Sequence, residues 1–321
     1  MKKVRWTSQI AIFCLCVLIG LDACQNSLTT GSRSTSVGSI QRVVFLGNSI
    51  TYSGQYISDI ESYYRIAHPT LQIEWINVGL PSETVSGLSE EGHADGAFPR
   101  PDLHERLDRV LKQTKPDLVF ANYGMNDGIY LPFDSTRFER FKDGMLWLHE
   151  TVVKHGAQIV HLSPPIFDEV KGGKAGYGEV LEHYSAWLLD QGEERGWLVL
   201  DIHGPMKAFL AEKRKEDAAF HLAEDGVHPG ATGHWLMAKE ILSFLGEDVS
   251  EAQDVMTALQ KHPQHKQVVE LVREKQQLLR DAWLTATGHS RPGIKQGLPL
   301  DQAYQQAELL EAKLDDLVGS K

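Results

Sequence analysis

The chain has 321 residues, a net charge of −11 and 42% hydrophobic residues. That is enough for one sizeable folded domain plus an appendage, and the acidic balance argues against nucleic acid as a partner. Its three cysteines are Cys14, Cys16 and Cys24, so the body beyond them has no internal disulfide to rely on.

The first predicted element is a processing signal. Met1–Ala23 carries Lys2, Lys3 and Arg5 ahead of an apolar run from Ile10 to Leu21, the layout of a secretory signal peptide rather than a membrane span. It ends in Leu21-Asp22-Ala23-Cys24, which resembles a bacterial lipobox and makes Cys24 the expected lipidation site. Cleavage removes Lys2, Lys3, Arg5 and Asp22, a net +2, and leaves −13. Residues 24–40 are rich in Ser, Thr and Gly and read as a flexible tether. The expectation is an exported, membrane-anchored lipoprotein.

Residues 41–246 alternate between two patterns. Arg42–Leu46, Leu71–Val78, Asp117–Tyr123, Ala157–Leu162 and Trp197–Ile202 are short apolar runs that read as buried strands. Between and after them, Ser53–Ala67, Asp102–Lys115, Ser135–His155, Gly176–Arg195 and Pro229–Leu245 read as helices. Such alternation predicts a mostly parallel sheet with helices on both faces. Residues 247–321 differ: Gln264–Thr285 and Leu300–Val318 have helical apolar spacing and flank a Gly- and Pro-rich stretch. They predict a helical hairpin packed back on the sandwich.

Three separated segments carry the chemistry: GNSIT at Gly47–Thr51, GMND at Gly124–Asp127 and DGVHP at Asp225–Pro229. Ser49 follows the first strand, where a strand-to-helix turn lifts a hydroxyl above the sheet edge. Pro229 is suited to open a helix, which sets His228 before its first turn and Asp225 one turn back. Asp225 can then accept Nδ1–H of His228 and leave Nε2 facing Ser49. Asp127 is expected to pin its loop. Each piece alone has a plainer reading, as a helix cap or a turn former. No spacing among the histidines suggests a metal site.

Together and in this order, the segments resemble the SGNH (GDSL-type) hydrolase superfamily. The resemblance implies a flavodoxin-like three-layer α/β/α sandwich, five parallel strands ordered 2-1-3-4-5, and no cofactor. It implies Ser49, His228 and Asp225 as catalytic residues. It implies an oxyanion hole built from the Ser49 N–H, the Gly79 N–H in INVGLPSET and the Asn126 amide. The family's usual second glycine in that block is absent, and Ser82 and Glu83 stand nearby.

The long connection Leu80–Pro101 is expected to border the pocket through His93, Phe98 and Arg100. Tyr130 and, from the tail, Arg291 are further candidates for substrate contact. The expected function is an exported serine esterase acting on a small-molecule or glycan ester, with a short acyl ester on a carbohydrate as first choice. A lysophospholipase or thioesterase is the alternative within enzymes, and a non-catalytic glycan-binding lipoprotein is the alternative outside them. Nothing in the sequence sets an oligomeric state.

Overall fold

A computed structural model describes residues 40–319. The signal segment Met1–Ala23, Cys24 and the tether up to residue 39 lie outside the described residues. Ile40, the last residue assigned to the tether, is buried in the core and belongs to the body.

The sheet has five parallel strands in the order β2-β1-β3-β4-β5. They are β1 (Arg42–Gly47), β2 (Glu74–Asn77), β3 (Leu118–Asn122), β4 (Gln158–Leu162) and β5 (Leu198–Leu200). The central strands β1 and β3 are apolar almost throughout and buried, as strands covered on both faces must be.

Neighbouring residues of a strand point to opposite faces, and this fixes the layers. Phe120 of β3 meets Phe45 of β1, ring centroids 5.4 Å apart, and Phe244 at the end of α8 (Ala231–Phe244). Phe45 also meets Tyr56 on α2 (Gln55–Ala67). The next residue along, Ala121, pairs in register with His161 of β4, whose ring bonds His149 of α4 (Ser135–Lys154). So α2 and α8 cover one face and α4 the other. Beside α4 lies α6 (Tyr177–Arg195), with Phe141 and Tyr184 stacked at 4.3 Å.

Two predicted helices break where backbone signals intervene. The run from Ser53 is α1 (Ser49–Ser53) followed by α2, separated by Gly54 at φ 71°. The run from Asp102 is a short 3₁₀ turn, Leu103–Glu105, followed by α3 (Leu107–Thr114). Three helices were not anticipated: α5 (Glu169–Gly172), α7 (His203–Glu216) and α9 (Val255–Leu259). The last predicted sandwich helix starts at Ala231 with Gly230 as cap, two residues later than Pro229 suggested.

The tail forms α10 (His265–Thr287) and α11 (Leu300–Gly319). They pack on each other through Val268, Val272, Leu314 and Val318. They also join the sandwich core through Val269, Ala282, Trp283 and Ala303. α10 shields the edge strand β2, where Gln276 Nε2 donates to the Trp75 carbonyl at 2.9 Å. A bare parallel edge would otherwise expose unpaired backbone. Lys275 and Gln276 both reach Glu61 of α2, and Tyr304 of α11 reaches Glu74 of β2.

Candidate active site

The site is built from the loops that leave the carboxyl ends of β1, β2 and β3 and from the loop between α7 and α8, which carries Asp225 and His228. Asn48 caps α1, its Oδ1 accepting the Ile50 N–H at 3.0 Å. The capping role considered for Ser49 therefore falls to its neighbour. Ser49 is the first residue of α1, and its N–H sits outside the intrahelical ladder with the positive end of the helix behind it.

The loop that carries His228 is tied at its base. Gly230 N–H donates to the Leu222 carbonyl at 2.7 Å. Asp225 Oδ1 accepts the Val227 and His228 N–H groups at 2.9 and 2.8 Å. Its other oxygen, Oδ2, lies 2.6 Å from His228 Nδ1, and His228 Nε2 lies 2.8 Å from Ser49 Oγ. With its proton on Nδ1, the imidazole donates to Asp225 and accepts from the Ser49 hydroxyl. Burial pushes the Asp225 carboxyl upward, but the His228 side chain and the two N–H donors outweigh it and hold the group below its ordinary value. The carboxylate thus stays charged and can stabilise an imidazolium formed beside it. The relay is accessible: the side chains of His228 and Asp225 are 50% and 55% exposed.

The GMND segment interlocks with the loop after β2. Asp127 Oδ1 accepts the Val85 and Ser86 N–H groups, and its Oδ2 accepts Gly124 N–H, all within 2.9 Å. Asp127 therefore pins its own loop and the loop after β2 together. Asn126 is oriented from both ends: Tyr130 donates to its Oδ1 at 3.1 Å, and its Nδ2 donates to the Glu83 carbonyl at 3.1 Å. The second Nδ2 proton remains for a ligand. Tyr130 is held at φ 55°, stacked on Tyr177.

Gly79 requires a correction. Its N–H, expected in the oxyanion pocket, donates to Asn77 Oδ1 at 2.9 Å. A Cβ there would sit 2.4 Å from the Tyr52 backbone nitrogen. The glycine lets the loop pass close against α1, a structural need. The available N–H is three residues on. Leu80–Glu83 is a tight turn closed by Glu83 N–H on the Leu80 carbonyl at 3.1 Å. Ser82 occupies its third position at φ 69°, a place that favours glycine. The Ser82 N–H has no acceptor among the described residues. The sequence held the clue, since Ser82 stands where the block lacks its second glycine.

Glu83 itself was missed. Its carboxylate is buried and forked by Arg106, with Nε and Nη2 at 2.6 and 2.7 Å, and it also accepts the Tyr123 hydroxyl at 2.7 Å. Arg106 Nη2 also donates to the Val78 carbonyl at 2.8 Å. Burial lifts the Glu83 carboxyl against the pull of Arg106 and Tyr123. Burial also opposes the charge on Arg106, and Glu83 beside it keeps that guanidinium protonated. A buried pair so far from its sequence partner leaves no local pattern to read.

The long loop does border this region. Arg100 forks onto Glu90 with both contacts at 2.6 Å, so its charge is already paired, and it lies over the Tyr130 ring. His93 and Phe98 meet edge to face at 5.4 Å. Arg291 reaches in from the tail and lies over the Phe98 ring at 5.2 Å.

The model of the GDSL-like lipase/acylhydrolase family matches residues 45–236, and the chain belongs to that family. It is a carboxylic ester hydrolase of the SGNH superfamily. An acetylxylan esterase from Geobacillus stearothermophilus is 23% identical over 231 residues, 65% of this chain and 96% of that protein. The solved structure of Axe2, an acetylxylan esterase from the same organism, superposes with a TM-score of 0.53 at 20% identity, over 67% of this chain and 98% of Axe2. A gut microbial diltiazem-metabolizing enzyme superposes with a TM-score of 0.54 at 23% identity, over 67% of this chain. The chain spans 49% of that enzyme's length. Two solved forms of Axe2 are catalytic mutants in which a serine or an aspartate is replaced by alanine.

Proposed function

We propose that the chain is an exported serine esterase that removes short acyl groups from carbohydrate by a covalent acyl-enzyme route. The observation that carries this reading is the continuous relay Asp225 Oδ2–His228–Ser49 Oγ, with contacts of 2.6 and 2.8 Å. In it, the Ser49 oxygen attacks the ester carbonyl while His228 Nε2 takes its proton. His228 returns that proton to the leaving sugar oxygen, and water repeats the sequence on the acyl-enzyme. The oxyanion is held by the Ser49 N–H, the Ser82 N–H and the free Asn126 amide proton. The catalytic serine and aspartate of Axe2 support the same division of labour here.

Carbohydrate as the alcohol is supported by the acetylxylan esterase relatives and by a site rimmed with Arg, His and Tyr side chains. We further assign residues 1–23 to a signal peptide and Cys24 to a lipid anchor. Residues 24–39 form the tether, 40–246 the hydrolase domain and 247–321 its helical extension. The test is a panel of acetylated sugars beside p-nitrophenyl esters of rising acyl length. Turnover falling with chain length and highest on acetyl sugars is the expected result. Turnover rising with chain length transfers the assignment to a lipid esterase. Labelling of Ser49 by an organophosphonate, read by peptide mass, checks the nucleophile.

A further inference from the structure

The contact between the long loop and the tail holds donors that nothing in the relay uses. Arg291 has one polar contact among the described residues, Nη1 donating to the Pro292 carbonyl at 2.7 Å. Its Nε is buried and donates to nothing. Among the described residues no carboxylate lies within ion-pair distance of it, whereas Arg100, Arg106 and Arg280 each face an acid. The guanidinium carbon lies over the Phe98 ring, 5.2 Å from its centroid, and Phe98 in turn meets the His93 ring. His93 Nε2 and His289 Nδ1 are also buried without partners. The acids nearby are engaged: Glu90 by Arg100 and His93, and Asp225 by His228.

We propose that Arg291, with His93 and His289, forms a subsite for a carboxylate on the substrate, so that the preferred ester is one carried by an acidic sugar such as a uronic acid. This rests on the esterase reading for its place in a reaction, though not for the binding itself. The Nε–Nη2 edge of a guanidinium presents two parallel N–H donors, the spacing of a carboxylate's two oxygens. Here Nε, which is buried, and Nη2 are the donors that lack an acceptor among the described residues. Contact with the Phe98 ring restrains the side chain before the ligand arrives, which lowers the cost of ordering it. A bound carboxylate favours protonation of the two imidazoles, and only then do His93 Nε2 and His289 Nδ1 become further donors to it.

The environment fits an unfilled anion site. Burial draws the His93 ring below its ordinary value, and the cations Arg100 and Arg291 add to that effect. Burial likewise draws Arg291 down. An anion between them offsets both penalties. The turn that presents Arg291 is shaped for it, with Gly288 and Gly293 at φ 71° and 76°. Arg109 anchors its base through the Thr287 carbonyl at 2.9 Å.

The test separates binding from catalysis. The Ser49→Ala chain is titrated by calorimetry with methyl glucuronoside, methyl glucoside and methyl glucoside 6-phosphate. The glucuronoside is expected to bind about tenfold tighter than the glucoside, and adding Arg291→Gln should erase that preference. Arg291→Lys, which keeps the charge without the fork, should retain only part of it. His93→Gln is the second variant, should the turn around Arg291 loosen. Equal affinity for the two glycosides, or a preference that survives both Arg291→Gln and His93→Gln, overturns the proposal. Tighter binding of the 6-phosphate than of the glucuronoside overturns the choice of carboxylate. The glucuronoside preference together with no esterase turnover by the wild-type chain leaves the subsite standing and removes the esterase reading. Turnover on acetyl glucoside and acetyl glucuronoside at equal kcat/KM does the reverse.

Discussion

Asp225 and Glu83 are both carboxylates bonded to a basic partner at 2.6 Å, yet the side chain of one is 55% exposed and that of the other 0%. Asp225 lies in a loop, three residues from His228, and a short turn is enough to join them. Glu83 is joined to Arg106 across 23 residues and to Tyr123 across 40. The first arrangement can open, protonate and exchange with water, as a proton relay must. The second is dry, so removing any member leaves an unpaired polar group in the interior. The site thus holds two kinds of contact: a wet Asp225–His228–Ser49 chain on a local motif, and a dry Glu83–Arg106 clamp on the loop that carries Ser82.

The largest expected effect breaks the wet side alone. Ser49→Ala and His228→Ala should each reduce kcat by about ten-thousandfold or more, since the two act as a unit. Both are partly exposed, so the melting temperature should shift little. Asp225→Asn should cost less than His228→Ala, because Oδ1 can still accept the two backbone N–H groups while Nδ2 cannot accept from His228. Steady-state kinetics beside calorimetric melting checks all three, and loss of fold in Ser49→Ala breaks the division.

Breaking the dry side should look different. Glu83→Gln leaves Arg106 buried without its counter-ion, a loss of about 3–5 kcal/mol in unfolding free energy. Because the Glu83 carbonyl also holds Asn126 Nδ2, kcat should fall with KM little changed. Urea unfolding with kinetics on the surviving folded fraction measures both. A stable variant with full activity removes the clamp from the mechanism.

The same contrast holds between two histidines six positions apart. His228 is half-exposed, whereas His234 is buried and stacked on Tyr56. Ser53 gives its proton to the Ile50 carbonyl, so His234 Nε2–H donates to Ser53 Oγ, and Nδ1 has no partner. Burial, with a smaller push from His228, lowers His234 to about 4. A histidine depressed in the folded state contributes stability that is present above its unfolded value near 6.5 and lost as pH falls toward 4. The loss is on the order of 3 kcal/mol across that window. His234→Gln should flatten part of the decline between about pH 7 and about pH 5, measured by urea unfolding at each pH. An equal slope in both chains assigns the decline elsewhere; His161, held down to about 3, is then the next group to vary.

What the sequence disclosed follows the same line between local and distant. The strands were legible because β1 and β3 are apolar runs bounded by polar or glycine residues. The relay geometry was readable because Asp225, His228 and Pro229 lie within one turn. Asp127 as a pin was readable for the same reason, since it bonds Gly124 three residues away. α7 was not legible: its sequence, HGPMKAFLAEKRKE, buries only His203, Met206 and Leu210 and has no sustained apolar stripe. The Glu83–Arg106 pair depends on two loops meeting, which no spacing encodes. Gly79 misled because a glycine near a site invites a functional reading, while here its missing Cβ makes room for α1.

The smallest expected effect sharpens that last point. If Ser82 serves through its backbone N–H, its side chain is dispensable and only its left-handed conformation matters. Ser82→Gly should keep kcat/KM within about threefold. It should change stability by less than about 1 kcal/mol, relief of the positive φ being offset by a more flexible unfolded chain. Ser82→Pro cannot adopt φ 69° and has no N–H to give, so it should cost about a hundredfold or more in kcat. Gly79→Ala supplies the control. Its Cβ presses on the Thr51–Tyr52 backbone, so it should lower the melting temperature and disturb Ser49 through α1. A Ser82→Pro chain that keeps its activity, beside a Gly79→Ala chain that folds normally but is inactive, would return the oxyanion role to Gly79.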